Sequence, residues 1–371
     1  QISYYLKIQM KTSSDKIFIG TMSGTSHDGI DICALKVNRQ ISLLKFSSFK
    51  YPLTLRQAIS KAIQQQELSL NMYFELDKKI GIAFSKSISK FLTQNKINKK
   101  NVTAIGLSGQ TLFHKPKGKY PFSIQAGNPK IIANECGIDV ISDFRNDHIK
   151  LGGEGAPLVP EFHQKLFAKK NTPLVVLNIG GISNFTFLDG THNFYGSDCG
   201  PGNALMDIYC QNFLNRPFDR QGQHAKNGVI HIPSLNQMLS HPFFRRRHPK
   251  STGKEIFNMK FIPKQLLKRS SYDILATLTE LTAICIAKSI RSQKKFPHQV
   301  IVCGGGLRNT FLVNSIERQL NMSLISSNEY GFDPQAIEAM AFGWMARQRL
   351  HKNSLIIKKN KGLIGSLTKS K

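Results

Sequence analysis

The chain has 371 residues, 40% of them hydrophobic and 9% aromatic, with 51 Lys and Arg against 23 Asp and Glu for a formal charge of +28. That length suits two domains with ample cores, and the hydrophobic content excludes wholesale disorder. No apolar run approaches the ~18–20 residues that a membrane helix needs, and residues 1–14 lack the apolar centre of a signal peptide.

Met10 is the expected natural start, and residues 1–14 are set aside from the fold. The basic surplus raises a nucleic-acid or membrane-surface reading. The lysines, however, are scattered through every segment. Apart from Arg245, Arg246, Arg247 and the C-terminal stretch, basic residues are neither gathered on one helix nor interleaved with aromatics. They read as a solvated surface, with an anionic substrate as part of the reason, and nucleic acid is not the expected partner. Cys33, Cys136, Cys199, Cys210, Cys285 and Cys303 form no CxxC pair and no metal-ligand spacing. Small core thiols in a reducing, cytoplasmic setting are expected.

Residues 17–31, IFIGTMSGTSHDGID, organise the rest. A strand at 17–19 runs into a turn holding Gly20, Thr21, Ser23, Gly24, Thr25, Ser26 and Gly29, and a β-rich run, 30–37, leaves it. Glycines let backbone approach a ligand closely, and hydroxyls with free N–H groups suit phosphate oxygens. The stretch reads as a strand-loop-strand phosphate cradle, with a polar hairpin turn as the alternative. It matches neither GxxxxGK[ST] nor GxGxxG. Residues 41–49 are a third strand after a turn at 38–40, and 55–66 and 70–95 carry helical spacing, with Leu76, Ile80, Ala83, Phe84, Ser87, Ile88 and Phe91 on one face.

A buried strand, 102–107, opens into a polar loop, 108–116, at a strand's carboxyl end, where ligands bind in open α/β sheets. A turn at 124–129, a helix at 129–136 and a short strand at 139–142 follow. Residues 143–160 are too rich in Gly and Pro for a regular element, yet carry Asp143, Arg145, Asp147, His148 and Glu154. That set is either a site or a solvated linker.

The pattern then restarts: a strand at 173–178, the turn IGGISN at 179–184 and a strand at 185–188 echo residues 17–37. Two similar units facing each other would place two phosphate turns across one cleft, which a nucleoside triphosphate could bridge. Asp198 comes just ahead of Gly200, Pro201, Gly202 and Asn203, where a helix with Leu205, Met206, Ile208 and Tyr209 begins. Helix N-termini attract anions, so Asp198 is either a carboxylate poised to accept a proton or a capping residue. Residues 218–228 read as loop, and the basic stretch 241–258, with Lys250, Ser251, Thr252, Gly253 and Lys254, either grips an anion or is a solvated face.

A long apolar helix at 272–292 feeds a strand, 299–303, and then GGGLRN at 304–309. The glycine triplet either lets an adenine ring lie against bare backbone or merely permits a tight turn. Within a helix at 333–350, Glu338 sits among Ala336, Ala339, Ala341 and Gly343, facing either solvent or a cleft. Residues 351–371, with six lysines and no acids, are expected to form a mostly mobile basic tail. The expected division is an N-terminal domain at 15–172, with helix 334–350 packing back across the cleft, and a C-terminal domain at 173–333.

In this order GTMSGTSHDGID, GQTLFHKP, DFRNDHIKLGGEGAPLVP, LNIGGISN, DCGPGN, HPKSTGKEIFN, CGGGLRN and EAMAFGW make the sequence, from about residue 17 to 350, resemble the anhydro-N-acetylmuramic acid kinases. These are a branch of the sugar kinase/Hsp70/actin superfamily. The resemblance implies an α/β fold of two actin-like (ribonuclease H-like) domains flanking a central nucleotide and sugar cleft, often paired as a homodimer. It implies an ATP- and Mg²⁺-dependent enzyme of peptidoglycan recycling that opens 1,6-anhydro-N-acetylmuramic acid with water and phosphorylates the freed O6. The products are N-acetylmuramic acid 6-phosphate and ADP.

By the same resemblance, Asp198 matches the general base and Glu338 a supporting catalytic residue. Gly24, Thr25, Ser26, His27, Asp28, Gly29, Ile30 and Asp31 match the ATP-phosphate segment, and Gly180, Gly181 and Ser183 the second phosphate turn. Gly304, Gly305, Gly306 and Asn309 match the adenosine side, and Gln110, Thr111, Arg145, Gly200 and Asn203 the sugar side. The sequence departs from the family pattern at Cys199 (usually Thr), Ser108 (usually His), His27 (usually apolar), His148 (usually Asp) and Glu154 (usually Gln). These departures bear on sugar contacts and rate. A related sugar kinase and a catalytically silent ATP-binding scaffold are the alternatives, separated by sugar-dependent ADP release.

Overall fold

The computed structural model describes residues 16–24, 27–38, 40–65, 67–253 and 255–371. Expectations for residues 1–14, Thr25, Ser26, Arg39, Gln66 and Lys254 lie outside the described residues. The chain divides into two compact α/β units, residues up to 158 together with 338–371, and residues 159–337.

In the first unit the strands are β1 (Ile17–Met22), β2 (Gly29–Val37), β3 (Ile41–Lys50), β4 (Val102–Gly106), β5 (Gln110–Lys115), β6 (Phe122–Ala126) and β7 (Val140–Ser142). The chain's last strands, β13 (Leu355–Ile357), β14 (Asn360–Gly362) and β15 (Ser366–Thr368), belong to the same unit. One sheet has the order β15-β7-β4-β1-β2-β3, in which β1, β2 and β3 form an antiparallel meander and β4 lies parallel to both β1 and β7. β1 is central, so its apolar run is buried without alternation, whereas edge strand β3 is half-buried or exposed after Ile41.

Helix Leu70–Gln94, capped by Ser69 accepting from Met72 N at 3.2 Å, packs Leu76, Ile80, Phe84, Ile88 and Phe91 into a core with Ile19, Ile32, Ile105 and Val140. Helix Ile337–Leu350 begins a turn later than its sequence suggests. Its small residues have a physical reason: a Cβ at Gly20 would lie 1.8 Å from Ala339 O, and one at Gly106 would lie 2.1 Å from Phe342 O. The helix therefore rests directly on strand backbone.

Three segments differ from expectation. Residues 108–116 are not a polar loop, nor 124–129 a simple turn, because β5 and β6 pair as an antiparallel hairpin. Within residues 143–160, Phe144–Lys150 is a helix with Phe144 and Ile149 buried. The basic tail is ordered: β13 and β14 form a hairpin and β15 pairs with β7. Arg349 Nε donates to Gly365 O at 2.6 Å, Gly365 N donates to Asp147 Oδ2 at 2.9 Å, and Lys369 pairs with Asp139 at 2.7 Å.

The second unit holds β8 (Leu174–Ile179), β9 (Ile182–Leu188), β10 (Phe194–Pro201), β11 (Gln299–Cys303) and β12 (Leu324–Ser326) in the order β10-β9-β8-β11-β12. β8, β9 and β10 form a meander, and β11 runs parallel to both β8 and β12. Counted in chain order within each sheet, both share the order third, second, first, fourth, fifth strand, with β15 added beside β7 in the first, the actin-like (ribonuclease H-like) arrangement. The echo between residues 17–37 and 173–188 is thus a repeat of topology. Helix Ser271–Arg291 is buried along Leu275, Leu278, Leu281, Ile286 and Ile290. This unit starts at Val159, ahead of residue 173, because helix Pro160–Phe167 is tied into it. His163 Nδ1 lies 2.8 Å from Thr186 Oγ1, and Phe167 packs edge-on against Tyr330 and Phe332. Among the described residues no helix is long and apolar enough to cross a membrane.

Candidate active site

In the first unit, β1 and β4 run parallel, so the segments that follow them are neighbours. Ser23 is the node. Its N–H donates to Ser108 Oγ at 3.1 Å, its hydroxyl contacts Gln110 Oε1 at 2.7 Å and Gly29 O at 2.9 Å, and Tyr51 OH donates to it at 3.1 Å. Gln110 Nε2 reaches Gly24 O at 3.4 Å and Thr111 O at 3.2 Å. Ser23, Ser108 and Gln110 are all buried. Gln110, expected on the sugar side, therefore braces the loop, and Ser108 supplies a strut in the place where the family pattern has His.

Gly29 is needed for packing, since a Cβ there would lie 2.3 Å from Phe49 O. His27 takes a left-handed backbone with φ 43°, its N–H donates to Gly24 O at 3.1 Å, and its Nε2 lies 2.7 Å from Ser60 Oγ. Asp31 accepts from the Ser48 hydroxyl.

The hairpin carries a polar chain toward helix Phe144–Lys150. Thr111 Oγ1 pairs with Gln125 Oε1 at 2.7 Å, Gln125 Nε2 donates to Ser123 Oγ at 2.6 Å, and Ser123 N donates to Asn146 Oδ1 at 2.9 Å. Arg145 donates through one guanidinium N–H to Gly155 O at 2.8 Å, while its buried Nε has no partner among the described residues. Burial lowers the Arg145 pKa and the Glu338 carboxylate opposes that. Burial in turn raises Glu338, with Arg145 holding it down and Asp31 pushing it further up. Arg145, Glu338 and Asp31 are thus electrostatically coupled around an incompletely satisfied guanidinium. His148 accepts from Gly155 N at 2.9 Å and is pushed down to about 4 by burial, with Arg145 and Lys358 adding to it. Glu154 faces Lys117 at 3.3 Å and Lys358 at 3.8 Å. His148 and Glu154 therefore serve as loop scaffold.

In the second unit, the turn between β8 and β9 locks into the segment before helix Ala204–Phe213. Gly181 O accepts from Gly202 N at 2.9 Å and Ala204 N at 3.0 Å, and Gly180 O accepts from Asn203 N at 2.9 Å. The Ser183 hydroxyl donates to Gly200 O at 3.2 Å and Pro201 O at 3.1 Å. A Cβ at Gly306 would lie 2.2 Å from Ile179 Cγ2 and 2.9 Å from Asn203 Nδ2, so the glycine triplet abuts the same turn. Gly304 adopts φ 87° and donates to Pro334 O at 2.9 Å. Gly180 and Gly305 are the open positions: a Cβ there would meet Ile182 O at 3.5 Å and Gln335 Nε2 at 3.8 Å, respectively. Asn309 is buried and caps helix Thr310–Leu320 by accepting from Leu312 N at 3.1 Å. This glycine-lined surface offers backbone to a flat or anionic ligand.

Asp198 is not at a helix N-terminus. It lies inside β10, because the pairing with β9 resumes after an irregularity between Asp198 and Gly200 and carries the strand to Pro201. The basic stretch supplies its setting. Asp198 N donates to Lys250 O at 2.9 Å, and Thr252 N donates to Asp198 Oδ2 at 2.8 Å. Ser197 Oγ accepts from Lys250 N at 2.9 Å and lies 2.6 Å from His248 Nδ1. A charge-assisted N–H bond fixes the orientation of a carboxylate.

Thr252 Oγ1, beside it, is buried and has no partner among the described residues. In the sequence, Thr252 stands only within a basic stretch that either grips an anion or is a solvated face. Its tie to Asp198 spans 54 positions, and the HPKSTGKEIFN string was the available signal. Cys199 points the other way into the core, and burial pushes its thiol up to about 12.

Comparison with known proteins identifies the family. The family model described as Anhydro-N-acetylmuramic acid kinase matches residues 16–362. An anhydro-N-acetylmuramic acid kinase of gamma-proteobacterium EBAC31A08 is 46% identical over 362 residues, covering 96% of this chain and 100% of that protein. Proteins of the same name from Vibrio vulnificus (strain CMCP6) and Sulfurimonas denitrificans are each 39% identical, covering 92% and 94% of this chain and 93% and 97% of theirs. With nearly its whole length matched in this way, the chain belongs to the anhydro-N-acetylmuramic acid kinase family.

Proposed function

We propose that this protein uses ATP and water to convert 1,6-anhydro-N-acetylmuramic acid to N-acetylmuramic acid 6-phosphate and ADP, a step of peptidoglycan recycling. The observation that carries the reading is the buried Asp198 carboxylate, held by Thr252 N–H at 2.8 Å next to a Thr252 hydroxyl that has no partner among the described residues. Asp198 takes a proton from the water that attacks the anomeric carbon. The bond from that carbon to O6 breaks, and O6 attacks the γ-phosphorus as its bond to the β–γ bridging oxygen breaks. Coupling the two steps gives the leaving oxygen of the first the role of nucleophile in the second.

ATP phosphates are assigned to Gly24 to Asp31 and to Gly180, Gly181 and Ser183, and adenosine to Gly304 to Gly306 with Asn309. The open backbone of Gly180 and Gly305 supports this. The sugar side is assigned to Thr111, Arg145, Gly200 and Asn203, with Gln110 and Glu338 in support. The Arg145 Nε, without a partner among the described residues, suits an anionic group on the sugar.

Magnesium takes one or two carboxylates beside phosphate oxygens, and neutralises charge on the transferring group. The described residues hold no cluster of three or more His, Cys, Asp or Glu for a metal. Asp28 and Asp31 fit the donor class of an ion carried by the nucleotide. A cytoplasmic homodimer is the proposed state; use of ATP and six buried thiols support the compartment, and the family resemblance supports the pairing. A coupled ADP-release assay tests the activity. Turnover is expected with 1,6-anhydro-N-acetylmuramic acid and not with free N-acetylmuramic acid, whereas the reverse preference would identify a different sugar kinase.

A further inference from the structure

The second unit contains a cavity of about 800 Å³ that the proposed chemistry does not use. Phe187, Tyr195 and Phe244 give it an aromatic wall, and Asp189 is the carboxylate among its lining residues. Against that single acid stand the run Arg245 to Arg247 and Lys250, Lys288, Lys294 and Lys295. Seven cations converging with one carboxylate repel one another, and an anion entering the cavity relieves that repulsion.

Lys250 sharpens the point. It is 6% exposed, and its ammonium, with three donors, makes one hydrogen bond among the described residues, to Phe243 O at 3.3 Å, while lying 4.5 Å from the Phe243 ring centroid. The volume matches a single small molecule rather than a duplex or a membrane. Arginine forks suit phosphate, and flat rings stack on aromatic walls.

The cavity also touches the machinery that holds Asp198. His248 and Lys250 line it, and the same two residues grip β10 through Ser197 Oγ and through Asp198 N to Lys250 O. We propose that this cavity is a regulatory site for a nucleotide-like polyanion, a flat ring bearing two or more phosphates, whose occupancy shifts residues 248–252 and thereby Asp198.

The test uses the full chain saturated with a non-hydrolysable ATP analogue, so that the proposed catalytic nucleotide site is filled. Uridine 5′-diphosphate is titrated calorimetrically, with inorganic pyrophosphate as the ringless comparison. The double variant Arg246→Ser/Lys295→Ser changes two exposed residues outside the Asp198 setting, and Lys288→Ser serves as a second, independent variant.

Saturable one-to-one binding is expected, weakened at least tenfold in the double variant and at least threefold in Lys288→Ser, with pyrophosphate at least tenfold weaker than the diphosphate. Turnover should change at least fivefold on saturation in the parent protein, while the double variant keeps its basal rate. Absence of saturable binding, or equal binding by parent and variants, overturns the site. Equal binding of pyrophosphate overturns the ring requirement, and binding without any change in turnover overturns the regulatory role. Binding is read without catalysis, so it stands or falls apart from the kinase reading.

Discussion

Replacing Gly202 with alanine would place a methyl carbon 2.3 Å from Gly180 O and 3.2 Å from Gly181 O. Ordinary contact begins at 3.4 Å, so one of the two segments must retreat by about 1 Å. Neither moves easily, because backbone hydrogen bonds of 2.9, 2.9 and 3.0 Å lock residues 202–204 to this turn. Overpacking of this kind costs about 1–3 kcal/mol. For a domain of this size, that lowers the melting temperature by roughly 2–12 °C. Because the turn is the proposed phosphate contact, KM for ATP should also rise about tenfold. Gly305→Ala is the control with the opposite signature. Its methyl would meet Gln335 Nε2 at 3.8 Å, so stability should hold within about 0.5 kcal/mol while KM for ATP rises. Calorimetric melting and ADP release at varied ATP read both. A Gly202→Ala protein with parental melting temperature and KM would refute the interlock, and unchanged KM in Gly305→Ala would refute the adenosine assignment.

Thr252→Val keeps the N–H that binds Asp198 and removes the hydroxyl that has no partner among the described residues. Melting should be unchanged or slightly improved, while KM for the sugar rises at least fivefold; an unaltered KM would deny that hydroxyl a role. Burial pushes His148 and His248 down to about 4 and His163 to about 3, below the ordinary 6.5. The unfolded chain therefore binds more protons between those limits, and their stabilisation is complete above pH ~6.5 and lost as pH falls toward 4. The two more deeply buried rings, His148 and His163, each contribute a slope of up to ~1.4 kcal/mol per pH unit, and the partly exposed His248 less, so melting temperature should fall steadily from pH 6.5 to 4.5; a flat profile would contradict it. Deleting residues 355–371 removes β15 from its sheet, along with the Asp147 and Asp139 contacts. The melting temperature should fall by several degrees, and a truncated protein as stable as the parent would show the tail to be dispensable.

What the sequence made legible follows from locality. The repeated strand, glycine turn and strand could be read twice because each copy is contiguous and its apolar run is unbroken, as in the fully buried β8. The β5–β6 hairpin was hidden because Gln110, Thr111 and His114 made an alternating strand look like a polar loop. Helix Phe144–Lys150 has only Phe144 and Ile149 buried, too few to show a period among its charges. β15 is a strand through pairing with β7, more than 220 positions earlier, which local propensity does not encode. Asp198 stands out in the sequence as an acid in a glycine-rich stretch, but its partner Thr252 lies on a distant segment. Its place in β10 depends on a register irregularity that no spacing rule anticipates.

The central claim is that Asp198 is the base for the attacking water. Asp198→Asn retains a carbonyl oxygen for the Thr252 N–H and removes the proton acceptor. With 1,6-anhydro-N-acetylmuramic acid and saturating ATP, ADP release by this variant should fall by about 10²–10⁴-fold, while ATP binding measured by calorimetry stays within about twofold of the parent. Turnover within tenfold of the parent would contradict the assignment.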